Sequence, residues 1–287
     1  MKRSFFRLVL AIALVSCTAQ LEPMTESAES SSRIYATVEG CDQPMTKVYV
    51  DEGLKVVWNA DDRITLFDKT TYNYQYKFLG EDGDTSGEFE KVPASGFITG
   101  NNVDNYYAVY PYNKKTKLSN DGSYITVMLP EEQTWKASSF GAGANTMVAA
   151  SEDKMLMFKN VCGYLSLRLY GAGVSVSRIT LQGNNGELIA GKASVAMTVG
   201  GTPATTMDKT AGTAEIALVC DPAVELGATA EQYTDFWFVV PPVKFAQGFT
   251  VTVTDSQGKV FTKGTGKSFA VVRSQLDWMN PLEVVTE

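Results

Sequence analysis

The sequence predicts an all-β protein with two domains in tandem. Short stretches in which apolar and polar residues alternate recur along the chain, and 24 glycines suit the many tight turns between them. No window carries the 3.6-residue apolar period of an amphipathic helix of ordinary length. A chain of 287 residues is also long enough for about two domains, each with its own core.

The stretch that divides the chain is residues 158–171 (FKNVCGYLSLRLYG). Three of its leucines occupy every second position and alternate with polar residues. One face is therefore apolar and the other is exposed to solvent, as in a half-buried strand. We interpret this stretch as the first strand of the second domain. The expected bounds are therefore 34–152 for an N-terminal domain and 153–287 for a C-terminal domain.

In the first domain, polar turns separate the expected strands. Asp61 and Asp62 are adjacent at the end of a strand and point in opposite directions, so we interpret them as capping residues of a turn, not as a catalytic or metal-binding pair. Residues 81–86 begin like a calcium loop, but Pro93 replaces the bidentate glutamate, which favours a hairpin tip. The expected strands are residues 34–39, 46–50, 55–58, 63–68, 74–79, 87–92, 105–112, 124–129 and 146–150.

In the second domain, turn residues again separate the expected strands. Residues 236–240 (FWFVV) are continuously apolar, which predicts a central strand covered on both faces. Residues 183–186 (GNNG) are typical of a hairpin turn. The expected strands after residue 171 are 176–181, 187–190, 192–199, 213–219, 236–240, 249–254, 259–263, 268–273 and 281–285.

Composition argues against several classes of function. The chain has no histidine, which removes the usual general base and the commonest metal ligand. Its net charge of −7 argues against a nucleic-acid partner, since phosphate binding needs a basic surface. We therefore expect no catalytic residues, no cofactor and no metal. A hydrolase that uses a pair of carboxylates is the remaining enzymatic alternative and ranks last.

The N-terminus predicts export and lipidation. Positive residues precede an apolar run at residues 8–15, which is typical of a secretory signal. The sequence LVSC that ends at Cys17 resembles a lipobox, so we predict a signal peptide over residues 1–16 and acyl chains such as palmitate on Cys17. An ordinary signal peptide with an incidental cysteine is the alternative. Residues 17–33 are expected to form a disordered tether.

Three cysteines remain besides Cys17. Pairings of Cys220 with Cys41 or with Cys162 are both conceivable in an oxidising compartment, and each leaves one thiol over. Cys162 lies in an apolar strand, where the role of a small buried hydrophobe is favoured.

Seven segments of the chain carry a resemblance through their order and spacing. They are Cys17 with its lipobox, 55–67 (KVVWNADDRITLF), 107–112 (YAVYPY), Leu129-Pro130 with Gln133, 147–151 (MVAAS), 158–169 and 236–254. Taken in order, these segments resemble the fimbrillin family, the lipoprotein pilins of type V pili in Gram-negative anaerobes of gut and mouth. The resemblance implies two β-sandwich domains of transthyretin-like topology in tandem. It also implies a structural subunit of a cell-surface pilus, or fimbrium, that supports adhesion, has no catalytic activity and reaches the cell outer membrane through the lipid on Cys17.

The resemblance further implies assembly by exchange of strands between subunits. A trypsin-like protease would remove the first strand, residues 34–39, whose apolar row is Ile34, Ala36 and Val38. The cut that frees this strand would follow Lys47, with Arg33 as the rival. The vacated groove would accept a donor strand from another pilin subunit.

We assign the donor strand to the C-terminal segment. Its apolar residues share one parity, which Asn280 interrupts. The alternative is that this segment is merely the last strand of its own sheet, and periodicity favours neither. The apolar residues are Leu276, Trp278, Leu282 and Val284.

A different class of function is a monomeric, surface-exposed glycan-binding lipoprotein with a host or bacterial surface ligand. It depends on the tyrosine-rich residues 106–112, which could form a stacking platform. The competing interpretation, which we favour, is that these rings fill a sandwich core and its rim.

Overall fold

The computed structural model of this chain consists mainly of β-strands. The structure describes residues 32–39, 56–93 and 100–285. Within these ranges the chain forms 23 strands and a 3₁₀ turn at Ala230–Gln232, so the predicted all-β class is confirmed. No helix in these ranges has the length and apolar character that a membrane crossing requires.

The described part of the first half forms eleven strands. They are β1 (Arg33–Val38), β2 (Arg63–Thr70), β3 (Tyr74–Phe78), β4 (Ser86–Lys91), β5 (Asn102–Tyr110), β6 (Lys117–Leu118), β7 (Tyr124–Leu129), β8 (Glu132–Lys136), β9 (Ser139–Phe140), β10 (Met147–Ser151) and β11 (Met155–Asn160).

The strands of the second half follow after a two-residue link. They are β12 (Gly163–Tyr170), β13 (Ser175–Gly183), β14 (Ala190–Ala196), β15 (Ala204–Thr213), β16 (Glu215–Glu225), β17 (Thr234–Val240), β18 (Val243–Phe245), β19 (Phe249–Asp255), β20 (Val260–Gly264), β21 (Phe269–Val271), β22 (Leu276–Trp278) and β23 (Leu282–Glu283).

Seven strands close into a barrel in the order β1-β11-β10-β5-β2-β3-β4. Its interior is aromatic, and Trp58, which is fully buried, occupies the centre. The Trp58 ring meets those of Phe89, Tyr110 and Phe158 edge-on, with centroids 5.0, 5.4 and 5.2 Å away. Edge-to-face packing of this kind adds to the burial of large apolar surfaces. Closure of the barrel therefore rests on a core that several strands share.

The remaining strands form four further sheets. A four-stranded sheet has the order β17-β12-β22, with β23 also on β12, and a six-stranded sheet has the order β20-β19-β13-β16-β8-β9. Strands of these two sheets contribute to one apolar cluster, which includes Leu167, Phe236 and Val251. A third sheet has the order β15-β14-β7-β6, and β18 pairs with β21 in a two-stranded ribbon.

The dividing stretch, residues 158–171, is two strands and not one. Its first residues end β11 in the barrel, and Val161 and Cys162 then lead into β12 in another sheet. Its expected wet face is also partly covered, because Tyr164 and Ser166 are fully buried. A second layer packs against that face, which periodicity within one strand could not reveal.

Strand pairing crosses the expected boundary between residues 152 and 153. The strand β11 pairs with β1 and β10, whereas β7 and β8 pair with β14 and β16 of the second half. The described residues from Ser32 onward group into a single compact unit. Strands of the two halves therefore pair in the same sheets. The division of the chain into two separate domains stays a prediction.

Two predictions of strand pairing in the second half are wrong. Among the described strands, β17 pairs only with β12, so residues 236–240 are not central in their sheet, although side chains on both faces are buried. The turn at residues 183–186 does not close a hairpin, because β13 pairs with β16 and β19 while β14 joins the sheet of β7. In both cases distant parts of the chain supply the pairing partners.

Candidate strand-exchange site

The strand β1 closes the barrel by pairing on both of its edges. It runs antiparallel to β4 and parallel to β11. Additional main-chain bonds extend the parallel side, since the Tyr35 amide donates to the Lys154 carbonyl at 3.0 Å and the Glu39 amide to the Phe158 carbonyl at 2.8 Å. Removal of β1 would therefore leave two rows of main-chain groups without partners.

The inward side chains of β1 fill the barrel core. Ile34 and Val38 are each 3% exposed and Ala36 is fully buried, while the residues between them are half-buried. Ile34 lies opposite Phe89 on β4, and Val38 lies opposite Phe158 on β11. Burial of side chains such as these two contributes about 1.5–3 kcal/mol each. The predicted apolar row thus occupies one face, and its departure would open an apolar groove.

Polar contacts hold the two ends of β1 unequally. At its start, the Arg33 guanidinium contacts the Glu88 carboxylate at 3.0 Å, but their side chains are 42% and 53% exposed. At its end, Glu39 is largely buried and accepts a hydrogen bond from the Asn160 amide at 2.7 Å and an ion-paired one from Arg273. Exposed ion pairs contribute little, so the end at Glu39 carries the stronger polar anchor.

The described ranges place the sequence-predicted cleavage sites differently. Arg33 is the first residue of β1, so a cut after it leaves the whole inward row attached to the chain. Lys47 lies between residues 39 and 56, outside the described residues. The predicted lipidation site Cys17 precedes residue 32 and also lies outside them. A cut after Lys47 would separate β1 covalently from everything that follows.

The predicted donor segment lies on β12 as two short parallel strands. Leu276 and Trp278 of β22 lie opposite Tyr164 and Ser166, and Leu282 of β23 lies opposite Leu169. On β12, Leu169 follows Ser166 by three positions. Their partners Trp278 and Leu282 are four positions apart, so the C-terminal segment contains one extra residue. One extra residue in a strand switches the face of all that follow.

The predicted single apolar row of this segment is therefore split in the structure. Leu276 packs against the cluster that contains Tyr164, whereas Val284 belongs to the cluster on the other face of β12 and Leu282 packs against that cluster. The Trp278 ring lies 5.6 Å from the Arg168 guanidinium. The four residues share one parity in the sequence but do not share one face here.

Two glycines allow the C-terminal segment to approach β12 closely. A methyl group on Gly163 would lie 2.1 Å from the Val272 carbonyl oxygen, and one on Gly171 would lie 2.5 Å from the Val284 carbonyl oxygen. Both contacts are with main chain, which cannot move aside cheaply. These glycines lie at the two ends of β12. The main chain near residues 272 and 284 therefore approaches β12 closely at both places.

Between those ends the segment does not close the sheets. A cleft of about 690 Å³ lies between residues 278–282 and the strands β19 and β20, with Phe249 and Val251 among its lining. Lys263 and Lys267 also line it. The middle of the segment therefore packs less completely than its two ends.

The acidic turns of the first half are structural. Asp62 accepts a hydrogen bond from the Asn59 main-chain amide at 2.8 Å, which confirms its predicted capping role. Asp61 forms an ion pair with Lys77, and Asp82, for which no capping role was predicted, accepts a hydrogen bond from the Ala60 amide at 2.7 Å. Burial raises the pKa of Asp62 above its ordinary value. In the described ranges, no three residues of the types Asp, Glu, His or Cys are grouped to hold a metal.

The two cysteines in the described ranges are buried and not bridged. Cys162 and Cys220 are both free thiols, so neither of the conceivable bridges to Cys220 is formed, and Cys41 lies outside the described residues. Burial raises the pKa of each thiol to about 12, which keeps the reactive thiolate scarce.

The tyrosine-rich strand fills core and rim, as we favoured. Tyr107 and Tyr110 on β5 are buried. The half-buried Tyr106 has the Lys69 ammonium 5.1 Å from its ring centroid, and the nearby Tyr74 ring has the Lys91 ammonium at 3.4 Å. Lysines therefore cover ring faces that a sugar would need for stacking.

Sequence reasoning missed four residues of this site. Glu39 and Arg273 meet across 234 positions of sequence, and no local pattern marks such a pair. The glycines Gly163 and Gly171 carried a weak signal, since each flanks the alternating stretch that became β12. Fold and site together define an all-β protein whose N-terminal strand closes a barrel and whose C-terminal segment lies on a neighbouring sheet.

Comparison with solved structures finds similar chains among bacterial cell adhesion and fimbrial proteins. A candidate cell adhesion protein from Bacteroides uniformis is 17% identical, with a TM-score of 0.46, over 88% of this chain and 94% of that one. A second, from Bacteroides ovatus, is 15% identical, with a TM-score of 0.42, over 74% and 80%. The tip fimbrial protein Mfa3 from Porphyromonas gingivalis, truncated at its C-terminus, is 9% identical, with a TM-score of 0.26, over 81% of each chain. No family model matches the chain, and neither does any curated protein sequence.

Proposed function

We propose that this protein is a structural subunit of a cell-surface type V pilus, exported as a lipoprotein and assembled by strand exchange that a protease triggers. In this proposal Cys17 carries the lipid that holds the precursor at the outer membrane, and the two halves form tandem sandwiches of transthyretin-like topology. The observation that carries the proposal is β1, a six-residue strand paired on both edges and inserted between β4 and β11.

Loss of β1 would create a binding site with a strong preference for another strand. The groove would expose the apolar partners of Ile34 and Val38, and the facing edges of β4 and β11 would lack main-chain partners. An extended segment of a second subunit satisfies both requirements at once, which is β-augmentation. A slip of one residue would turn the apolar side chains of that segment outward, so the groove also selects register.

The C-terminal segment suits the role of donor because its sequence fits an extended strand better than its place on β12. On β12 the extra residue between Trp278 and Leu282 splits the apolar residues between two faces. A continuous strand without that irregularity would place all four on one face, because successive side chains alternate. Transfer to the groove of a second subunit would thus restore a single apolar row.

The experiment uses the mature chain and limited digestion with trypsin. We expect a cut after Lys47, departure of the fragment that contains β1, and fibres visible by electron microscopy. N-terminal sequencing of protein from the fibres should begin at residue 48. Lys47→Gln should stay monomeric, whereas the matched variant Arg33→Gln should still polymerise. Fibre subunits that begin at Thr18, or at an intact lipidated Cys17, would refute removal of β1.

Deletion of residues 281–287 tests the donor assignment separately. The shortened chain should fold and be cut, because the barrel does not contain these residues. It should then fail to polymerise by itself but still accept the C-terminal segment of the intact chain. Loss of folding would show that the segment is the last strand of its own sheet and nothing more.

A further inference from the structure

The C-terminal end of β1 is bonded to the start of the C-terminal segment. One carboxylate oxygen of Glu39 accepts hydrogen bonds from the Ser274 hydroxyl at 3.0 Å and from the Asn160 amide at 2.7 Å, and it also accepts an ion-paired bond from Arg273. The same guanidinium nitrogen of Arg273 donates to the Asn160 carbonyl at 3.1 Å. The side chains of Glu39 and Arg273 are only 19% and 23% exposed.

Residues 273–275 form the corner from which β22 departs. The Ser274 amide donates to the Cys162 carbonyl at 2.9 Å, and the Tyr164 amide donates to the Gln275 carbonyl at 2.8 Å. The corner is therefore bonded to the start of β12 on one side and to the end of β1 on the other. Beyond it, the Met279 amide donates to the Ser166 carbonyl at 2.9 Å and the Val284 amide to the Tyr170 carbonyl at 2.8 Å.

We propose that Glu39 and Arg273 form a latch by which β1 holds the C-terminal segment on β12, so that release of β1 also loosens that segment. The inference rests on the proposed function and deepens it: one cut would open the groove that accepts a strand and free the strand that a subunit donates. Donor segments would then stay docked in precursors whose own β1 is still in place.

The physical reason is the cost of an unpaired charge. In the described ranges, no other carboxylate forms an ion pair with Arg273. When Glu39 leaves with β1, the guanidinium, which is 23% exposed while β1 is in place, loses its counter-charge and the contact that ties the corner to β1, and removal of one partner of such a pair is destabilising. Movement of the corner into solvent relieves that cost and weakens the pairing of β22. The Arg33–Glu88 pair at the other end of β1 is exposed and lacks this coupling.

The test measures hydrogen–deuterium exchange on the intact, uncut protein. Glu39→Gln is compared with Glu88→Gln, a matched control that removes the other ion pair of β1 with the same chemical change. We expect Glu39→Gln to raise the exchange rates of the Met279 and Val284 amides about tenfold, the factor that corresponds to one hydrogen bond to a charged group. The Val251 and Val253 amides of β19 should not change, and Glu88→Gln should leave all four unchanged.

Equal exchange at Met279 and Val284 in the two variants would overturn the latch. If Glu39→Gln does not fold, Arg273→Lys provides the same comparison, because a lysine keeps the charge but lacks the guanidinium nitrogen that contacts both Glu39 and Asn160. The measurement needs no cut and no fibres. A latch without fibre formation would therefore refute only the pilus proposal, and fibre formation without the coupling would refute only the latch.

Discussion

The substitution Ile34→Ala should release β1 from the barrel far more readily without altering its main-chain pairing. Ile34 is 3% exposed and lies opposite Phe89 inside the barrel. Truncation of a buried isoleucine to alanine costs about 2–5 kcal/mol, because transfer free energy is lost and a cavity remains. A value of about 3 kcal/mol corresponds to about a hundredfold increase in the dissociation constant of β1 after the cut.

The assay follows the fragment that contains β1 after limited digestion with trypsin. Size-exclusion chromatography separates retained from released fragment, and a fluorescent peptide of residues 275–285 reports vacant grooves. Val38→Ala should give a smaller increase than Ile34→Ala, because less volume is removed. The matched control is Thr37→Ala on the half-buried outer face of the same strand, which we expect to change the dissociation constant by less than about threefold.

The result that would refute this reasoning is equal release in Ile34→Ala and Thr37→Ala. Equality would mean that the apolar face of β1 does not hold the strand in the barrel. A groove that admits the labelled peptide equally well before the cut would also contradict the argument, since β1 occupies both main-chain edges.

Three further predictions concern other parts of the chain. Gly171→Ala should push the C-terminal segment away from β12 and raise the exchange rate of the Val284 amide, because the new methyl group would lie 2.5 Å from a carbonyl oxygen, whereas Gly266→Ala has nothing within 4 Å and should be neutral. Gln133→Leu should lower the free energy of unfolding, measured in urea, by about 1–3 kcal/mol. The buried side-chain amide of Gln133 forms two hydrogen bonds with the main chain of Val239, at 2.7 and 3.0 Å, and their loss leaves the Val239 groups unsatisfied. Gln257→Leu in an exposed turn is the control. At pH 8 the thiols of Cys162 and Cys220 should react with a maleimide only after unfolding, since burial raises the pKa of both to about 12, and rapid labelling of the folded protein would contradict their placement.

The alternation of apolar residues predicted the class of this fold and the inward row of β1. It also marked the C-terminal segment as a strand, because the period of two is a local property that burial of one face imposes on sequence. The role of Gln133 shows where that logic stops. The residue was noted only as part of a resemblance, and its side chain pairs with the edge of β17 more than a hundred positions away.

By itself, the sequence of this protein determined that it is made of strands and which faces of many strands are apolar. Only the tertiary structure decided that residues 158–171 divide between two sheets, that one extra residue splits the C-terminal row between two faces, and that Glu39 meets Arg273. Periodicity along one strand specifies a face but not the strand that will cover it. The partners in these pairs are far apart in sequence, so their meeting depends on how the sheets pack together.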